Sequence, residues 1–303
     1  MKSLIIGYGS IGKRHLSVLK DLNCPVAIVS KQDNLPGLSF KNINKAIKDF
    51  NPQYVVICNS TNEHFNTLSI LAKNNFTGTV LIEKPIFSSY SELPINDFKD
   101  VFVGYNLRFH PVLVRLKEIL SLQKVLSANI YVGQFLPDWR PNQDYKKTYS
   151  ANKESGGGVL RDLSHELDYT SWLFGTWKSL TSQGGKVSKL EIDTEDIFTI
   201  LIKSNQNPSI SIQMSYLDRI KQRKILINTE SDFIEVDLIK NYIKINGSNN
   251  SFSIDINSTY KDMHSSVINN QDSNICNMEE GLKTMKLIKA IEESNGLKWV
   301  HNE

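Results

Sequence analysis

The sequence has little cysteine, little net charge and no long apolar run, and each shortage excludes a class of protein. Its 303 residues include three cysteines, Cys24, Cys58 and Cys276, without a CxxC pair or a spacing typical of metal ligands. So sparse a set argues against a disulfide framework, favours a reducing compartment and predicts no metal site. A net charge of +3 gives no reason to expect nucleic acid or an acidic membrane as a partner.

The apolar stretches are also too short for two kinds of targeting segment. None approaches the length of a membrane span, and the run near the N-terminus is shorter than a secretory signal requires. We therefore expect a cytoplasmic protein. With 40% hydrophobic and 22% charged residues the chain is typical of a globular protein, and its length favours two domains.

The first 22 residues contain a glycine-rich turn between a predicted strand and a predicted helix. Gly7 permits a tight turn, Gly9 lets the backbone approach a pyrophosphate, and Gly12 lets the helix pack on the strand. The N–H groups at the start of the helix attract phosphate. A GxGxxG pattern in this context predicts a dinucleotide site. The residues expected to form it are Gly7, Tyr8, Gly9, Ser10, Ile11 and Gly12.

The end of the second predicted strand bears on the choice of cofactor. An acidic residue there binds the ribose 2′-hydroxyl of NAD, whereas a basic one accommodates the 2′-phosphate of NADP. Here the strand ends in Ser30 and Lys31, and no acid occurs before Asp33. The sequence therefore favours NADP over NAD, with Ser30 and Lys31 on the phosphate. The alternative is that Lys31 is an ordinary solvated lysine.

Strands and helices continue to alternate through residue 106. Strands are predicted at 53–60, 79–85 and 101–106, with a helix over 61–75. This rhythm predicts a doubly wound parallel sheet, which binds ligands beyond the carboxyl ends of its strands. The residues at those ends are predicted cofactor contacts, although a surface histidine is the alternative for His64. They are Asn59, Ser60, Thr61, His64, Glu83 and Lys84.

The pattern changes from about residue 107. Short runs that alternate polar and apolar residues predict an antiparallel sheet with one covered face. A helix is predicted over 277–296. We therefore expect an α/β protein made of a dinucleotide-binding Rossmann domain, 1–106, and a second α/β domain, 107–303.

The stretch GGGVLRDLSHELDY, residues 156–169, runs from three glycines into a predicted helix. At 100° per residue its leucines fall on one side, and Asp162, His165, Glu166 and Tyr169 fall on the other. The glycines would supply a bendable and closely approachable start. The polar face is either a catalytic surface or an ordinary solvated one.

Five motifs occur together in this sequence, and their order resembles the Gfo/Idh/MocA family of NAD(P)-dependent oxidoreductases. They are the N-terminal GxGxIGxxH, EKP at 83–85, GYNLRFHP at 104–111, WRP at 139–141 and the glycine run with its Asp and His. The resemblance implies an active site between a Rossmann domain and a second α/β domain. It implies that this second domain has a mostly antiparallel open sheet and serves substrate binding and oligomerisation. It implies catalytic roles for Lys84, Asp162 and His165, although many relatives space the last two one residue further apart. It also implies a homodimer or homotetramer formed through the second sheet.

The chemistry implied is the transfer of a hydride between nicotinamide and a carbinol, with a proton passing to a base. Histidine titrates near neutral pH, and a lysine can once its pKa is lowered. We expect Lys84 to hydrogen-bond the reacting oxygen, His165 to exchange the proton, and Asp162 to orient His165 or grip a neighbouring hydroxyl. Exchanging the roles of Lys84 and His165 is equally consistent with the sequence.

The residues before the catalytic stretch suggest the substrate class. Aromatic and basic side chains there suit a sugar that carries an anionic group, and guanidinium groups bind such anions well. The family's usual substrates are sugars, cyclitols and nucleotide sugars. The motif RDLSHELDY resembles that of family members that act in the biosynthesis of bacterial cell-surface sugars. The alternative for these residues is a mobile basic surface loop. The alternatives for the protein as a whole are a non-catalytic NAD(P)-binding sensor and a reductase of a non-sugar substrate. The predicted substrate contacts are Arg108, Trp139, Arg140, Tyr149 and Tyr169.

Overall fold

A computed structural model describes residues 1–205, 208–270 and 274–302. The chain forms two compact units, Met1–Phe109 with Asp255–Leu282, and His110–Ile254 with Lys283–Glu303. The predicted division at residue 106 lies close to the first crossing between the units. Residues 255–282, which the sequence placed in the second domain, belong to the first unit. Within the described ranges no helix is both long and apolar enough to cross a membrane.

Strands and helices follow one another closely along the chain, joined by short 3₁₀ turns. The strands are β1 (Ser3–Ile6), β2 (Val26–Val29), β3 (Ser39–Phe40), β4 (Tyr54–Ile57), β5 (Thr79–Ile82), β6 (Asp100–Val103), β7 (Val125–Gly133), β8 (Trp177–Gly185), β9 (Ile197–Ser204), β10 (Ser209–Ser215), β11 (Gln222–Thr229), β12 (Phe233–Asp237), β13 (Tyr242–Ile245), β14 (Ser248–Ser251), β15 (Cys276–Asn277) and β16 (Val300–His301). The helices are α1 (Ser10–Asp21), α2 (Ile43–Phe50), α3 (His64–Lys73), α4 (Pro111–Leu120), α5 (Val159–Asp162), α6 (His165–Phe174), α7 (Ser258–Ile268) and α8 (Met278–Glu293).

The sheet of the first unit has the order β15-β6-β5-β4-β1-β2-β3, and β1 to β6 are parallel. Every residue of β1, β4 and β5 is buried, as expected when helices cover both faces of a parallel sheet. The chain runs from β1 to β2 and β3 on one side of the sheet and then crosses to β4 on the other side of β1, so the strand order switches beside β1. The predicted doubly wound Rossmann sheet is confirmed.

Residues 255–282 complete the first unit in two ways. Met263 and Val267 of α7 join the buried cluster that contains Leu19 and Ile28. The short β15 pairs antiparallel with β6, with Cys276 opposite Val103. The apolar pattern of α7 shows that the helix has a buried face, but it does not show which sheet that face packs on. The sequence therefore could not assign the segment to its unit.

The sheet of the second unit has the order β14-β13-β12-β11-β7-β10-β9-β8-β16. Neighbouring strands are antiparallel except for the parallel pair β7 and β10. In β9 buried and exposed residues alternate, so one face is covered and the other meets solvent. The predicted, mostly antiparallel sheet is confirmed.

Candidate functional site

The three glycines after β1 form a cradle, and the space around Gly9 differs from that around Gly7 and Gly12. Gly7 has φ of 101°, and a Cβ there would lie 2.5 Å from the backbone N of Asn59. A Cβ on Gly12 would lie 2.2 Å from the carbonyl oxygen of Gly7. A Cβ on Gly9 would meet nothing within 4 Å. Gly7 and Gly12 are therefore required by close packing, whereas Gly9 faces open space that a ligand can approach.

The start of α1 is suited to an anion. Gly9 is its N-cap, no side chain caps the helix, and the first turn contains no acidic residue. Ser10 and Ile11 occupy the first two helical positions, so their N–H groups point out of the helix without an intrahelical acceptor. Together with the open side of Gly9, this end of α1 fits the pyrophosphate of a dinucleotide.

The loop after β2 is organised by Lys41, a residue that the sequence did not single out. Its ammonium donates to the carbonyl oxygens of Lys31 and Gln32 and pairs with Asp33 at 2.7 Å. This hydrogen bond and charge lower the pKa of Asp33. The nearest acid to the end of β2 is thereby neutralised, and Lys31 extends into solvent with Ser30 beside it.

His64 does not lie where a cofactor contact was predicted. It is 1% exposed, and its ring nitrogens face the carbonyl oxygens of Ile86, at 2.9 Å, and Asn59, at 3.2 Å. Burial lowers its pKa, so the ring is neutral and donates through one nitrogen. With a single N–H, His64 bonds one of these two carbonyl oxygens and packs its other nitrogen against the second. Of its neighbours, Ser60 is exposed and Thr61 is half-buried, so both can still meet a ligand.

The EKP turn directly follows β5. Glu83 is buried and accepts a hydrogen bond from His15 Nε2 at 3.0 Å, so it is held inside the protein and is no direct cofactor contact. Lys84 is half-buried, and the peptide bond between Lys84 and Pro85 is cis. Lys84 therefore leaves the strand beside a carboxylate whose position is fixed.

In the second unit two tyrosines converge on Asp162. The Tyr216 hydroxyl donates to Asp162 Oδ2 at 2.6 Å, and the Tyr149 hydroxyl also bonds this carboxylate. Burial, followed by the charge of Asp162, raises the pKa of both phenols well above the usual value. Both tyrosines therefore stay protonated and act as donors. Asp162 is 5% exposed and has a defined orientation, as a residue that positions a reacting group requires.

The glycine run sets this arrangement by close packing and is buried. A Cβ on Gly157 would lie 2.1 Å from the carbonyl oxygen of Tyr149. Gly158 has φ of 113°, and a Cβ there would lie 2.3 Å from a carboxylate oxygen of Glu195. That carboxylate accepts from the backbone N of Leu160 at the start of α5. The sequence predicted a bendable segment here. In the structure the segment is instead held closely against its neighbours.

The predicted single helix with an exposed polar face is wrong in both respects. The helix is divided into α5, which ends at Asp162, and α6, which begins at His165. His165 is half-buried, but Glu166 and Tyr169 are 0% exposed. Arg223 pairs with Glu166 at 2.7 Å, and the Tyr169 hydroxyl donates to the same carboxylate at 3.2 Å. Tyr169 therefore has a structural role and is withdrawn as a substrate contact.

A cavity of about 190 Å³ borders Asp162 within the second unit, and its lining includes Trp139, Lys221 and Arg223. The Trp139 ring packs edge-on against Tyr216, with centroids 5.3 Å apart. Partial burial, followed by the charge of Arg223, lowers the pKa of Lys221. Most ligand pockets hold roughly 300–1,000 Å³. This cavity therefore suits one substituent of a substrate, such as a carboxylate, better than a whole nucleotide.

The predicted substrate contacts thus separate into two groups. Trp139 and Tyr149 lie around Asp162, and the Arg140 guanidinium stands 5.8 Å from the centre of the Tyr149 ring. Arg108 is 3% exposed in the first unit and pairs with Glu280 at 2.9 Å. Its charge is neutralised inside the protein, so Arg108 is withdrawn as an anion contact.

Tyr216 and Lys221 were missed by the sequence reasoning. Both residues follow β10, a strand that the sequence predicted. The basic run 219–224 after this strand indicates a candidate anion-binding segment, which the sequence reasoning did not consider. Nothing in the spacing of Tyr216 reveals its bond to Asp162, because the two residues are 54 positions apart.

Sequence models of a known family match both parts of the chain. Residues 1–96 match the oxidoreductase family with an NAD-binding Rossmann fold, and residues 121–251 match the C-terminal domain of the same family, Gfo/Idh/MocA. The chain belongs to the Gfo/Idh/MocA family. The resemblance drawn from its motifs is confirmed, together with the Rossmann fold of its first part.

Individual relatives are more distant. An uncharacterised oxidoreductase of Synechocystis is 28% identical over 163 residues, 51% of this chain and 43% of that protein. The myo-inositol 2-dehydrogenase of Thermotoga maritima is 24% identical over 193 residues, 58% of this chain and 55% of that protein. The matches thus span about half the length of these relatives. The WlbA dehydrogenase of Bordetella pertussis, solved with NADH and UDP-GlcNAcA, is 17% identical over 97% of this chain and 95% of its own, with a TM-score of 0.79, which shows a shared fold.

Proposed function

We propose that this protein is an NAD(P)-dependent oxidoreductase that moves a hydride between nicotinamide and a carbinol or ketone of a sugar or nucleotide sugar. The observation that carries the proposal is the cradle of Gly7, Gly9 and Gly12 at an uncapped helix start, in a chain that also holds Asp162 between two tyrosine donors. We favour a sugar substrate that belongs to the biosynthesis of cell-surface polysaccharides.

Bound NAD(P) would supply the hydride acceptor or donor. The residues of this chain would manage the proton and the orientation of the substrate. Lys84 would donate a hydrogen bond to the reacting oxygen, and His165 would accept or return its proton. Asp162, fixed by Tyr149 and Tyr216, would orient His165 or bind a neighbouring hydroxyl. Exchanged roles for Lys84 and His165 remain the nearest alternative.

The direct test begins with fluorescence titration of the purified protein, freed of bound nucleotide, with NADPH and NADH. Binding of either dinucleotide would support the cradle. Turnover is then followed at 340 nm with neutral and acidic sugars and their nucleotide derivatives. A folded protein that binds neither dinucleotide would overturn the proposal. Binding without turnover across the panel would favour a non-catalytic sensor or a non-sugar reductase.

We propose that NADP is the preferred cofactor, because Lys31 is exposed at the end of β2 and Lys41 already neutralises Asp33. Lys31→Asp is expected to move the ratio of dissociation constants about tenfold toward NADH, since it replaces a phosphate-binding charge by one that repels phosphate and accepts from a ribose hydroxyl. The same titration measures both constants. Lys73→Asp, at the opposite edge of the sheet, is the matched control. An unchanged ratio would remove the argument for NADP.

We further propose that the substrate carries an anionic group and that Lys221 binds it in the cavity beside Asp162. WlbA was solved with UDP-GlcNAcA, and the related GnnA is a UDP-N-acetylglucosamine 3-dehydrogenase. Both sugar nucleotides carry the same diphosphate, and they differ in whether the sugar itself is acidic or neutral, so they form a suitable pair. If Lys221 binds the acidic group of the sugar, Lys221→Gln is expected to raise the KM for the nucleotide of the acidic sugar about tenfold and to leave the KM for the nucleotide of the neutral sugar unchanged. Lys203→Gln, on the exposed face of β9, is the control; equal changes for both substrates would contradict the proposal.

We also propose a homodimer or homotetramer that forms through the exposed face of the second sheet. Leu201, Leu226 and Phe233 are 46%, 36% and 44% exposed on three strands of this face. Burying such side chains against a second copy is favourable. Light scattering measures the mass in solution. A monomer at micromolar concentration would contradict this assembly.

A further inference from the structure

A chain of four buried side chains runs through the first unit and ends at the EKP turn. His15 Nε2 lies 3.0 Å from Glu83 Oε1, and His15 Nδ1 lies 2.8 Å from His264 Nε2. His264 Nδ1 lies 2.9 Å from the Tyr54 hydroxyl. Tyr54, His15 and His264 are all 0% exposed and Glu83 is 7% exposed. We call these residues the relay.

The relay connects separate parts of the fold. Tyr54 opens β4, His15 lies on α1, His264 lies on α7, and Glu83 follows β5 immediately before Lys84. Buried polar groups are costly unless each finds a partner. Apolar residues would fill this volume without that requirement. The presence of two adjacent histidines inside the unit therefore calls for a role beyond packing.

The four groups can form one continuous series of hydrogen bonds. Glu83 Oε1 accepts from Nε2–H of His15. With one proton on each ring, His15 Nδ1 then accepts from His264 Nε2–H. His264 in turn offers a lone pair at Nδ1, which only the Tyr54 hydroxyl can satisfy. Each donor and acceptor is used once, and each tautomer depends on the next group.

The surroundings keep the distal half of the relay neutral. Burial, followed by the neighbouring His15, lowers the pKa of His264 well below the usual histidine value. Burial raises the pKa of Tyr54 well above 10. Tyr54 therefore remains a donor and His264 remains an uncharged link. Among the described residues, the other titratable groups that act on the relay are Cys24, Cys58, His64 and Tyr260, and Arg14 stacks on Tyr260.

We propose that Tyr54 and His264 are positioning residues that act through His15 and hold the Glu83 carboxylate, and with it the adjoining Lys84, in one orientation for the reaction. The relay holds Glu83 through its side chain, whereas Lys84 is joined to Glu83 through the backbone. This inference rests on the proposed function for its effect on turnover. The tautomers that it requires are a property of the protein by itself.

The first measurement is ¹⁵N-resolved NMR of the histidine rings in the full-length wild-type protein. We expect His15 and His264 both to carry their proton on Nε2, with Nδ1 unprotonated, at neutral pH. An Nδ1–H tautomer or a doubly protonated ring at either position would overturn the relay. Because this measurement needs neither substrate nor variant, it stays decisive if the proposed function fails.

The second measurement is the effect of Tyr54→Phe, which removes only the hydroxyl that begins the relay. We expect kcat to fall about tenfold, the size typical of residues that orient a reacting group through another, with the dissociation constant for the dinucleotide unchanged. We also expect the His15 and His264 rings to become tautomeric mixtures. Absence of turnover in the wild type would refute the proposed function and leave the NMR result standing.

Thr259→Val is the matched control. It also removes a buried hydroxyl from this unit, on α7 like His264, and its partner is Asn106 at 2.7 Å. The control should lose stability without changing kcat or the histidine tautomers. If Tyr54→Phe has no larger effect on kcat than Thr259→Val, or leaves both tautomers unchanged, the relay has no positioning role.

Discussion

Replacing Lys84 by methionine is expected to lower kcat by about 10²- to 10⁴-fold while the dissociation constant for the dinucleotide stays the same. This is the range by which a positioned proton donor or acceptor usually accelerates a reaction. Methionine keeps most of the length of the side chain and removes its charge and its donors. Fluorescence titration gives the affinity, and steady-state kinetics on the best substrate of the panel gives kcat.

A matched variant separates this effect from a general loss of positive charge. The matched variant is Lys99→Met. Lys99 belongs to the same unit, directly precedes β6 and donates a hydrogen bond to Asn270. It therefore lies at the end of the sheet where the parallel strands begin. This variant should retain wild-type kcat. If Lys84→Met instead abolishes dinucleotide binding, Lys84 acts mainly in holding the EKP turn. If it retains full turnover, the acid–base assignment is wrong and His165 carries the proton transfer without it.

The parts of the fold that the sequence predicted are those encoded over short distances. The glycine pattern around Gly9 specifies a strand, a turn and a helix within 15 residues, and local sterics allow few other solutions. Alternation of apolar residues likewise identified the strands of the second sheet, because the side-chain period of a strand is two. The spacing of these short patterns was enough to predict two different sheets in one chain.

The errors have a common physical origin, which is a buried polar residue satisfied by a partner far away in the sequence. Tyr169 and Glu166 form a polar face on a helical projection, yet Arg223 neutralises that face inside the unit. Arg108 is likewise paired with Glu280, 172 positions later. A projection shows which residues share a side, but it does not show whether that side meets water. Such pairs require the tertiary structure.

The same distinction explains why the glycine run was only half understood. The sequence reasoning considered a flexible segment, and glycine does permit one. Gly157 and Gly158 are instead places where another part of the chain comes too close for a Cβ. Their neighbours, Tyr149 and Glu195, lie before and after the run in sequence, so the constraint becomes visible only when the loops are packed together.

Replacing Arg223 by methionine is expected to lower the free energy of unfolding of the second unit by about 3–5 kcal/mol near neutral pH, because Glu166 would remain buried and charged without its partner. Glu166 is 0% exposed, and the Arg223 guanidinium contacts both of its carboxylate oxygens, at 2.7 and 3.3 Å. Urea unfolding followed by circular dichroism measures the change, since the midpoint moves with stability.

The pH dependence of this deficit identifies its cause. Burial already raises the pKa of Glu166 above its ordinary value of 4.5, and Arg223 opposes that rise. Loss of Arg223 raises the pKa further. A carboxyl group whose pKa is higher in the folded state favours folding when protonated, so its stabilising contribution is fully present below 4.5 and is lost as pH rises through the folded value. The deficit of the variant should therefore shrink as pH falls from 7.5 toward 5.

The double variant Glu166→Gln with Arg223→Met provides the decisive comparison. It removes the buried charge together with its partner, so most of the lost stability should return at pH 7.5 and the pH dependence should disappear. A deficit that stays constant with pH in the single variant, or persists unchanged in the double variant, would mean that Arg223 stabilises the unit by packing alone. Recovery would show that Glu166 is ionised in the native protein and that α6 depends on this ion pair.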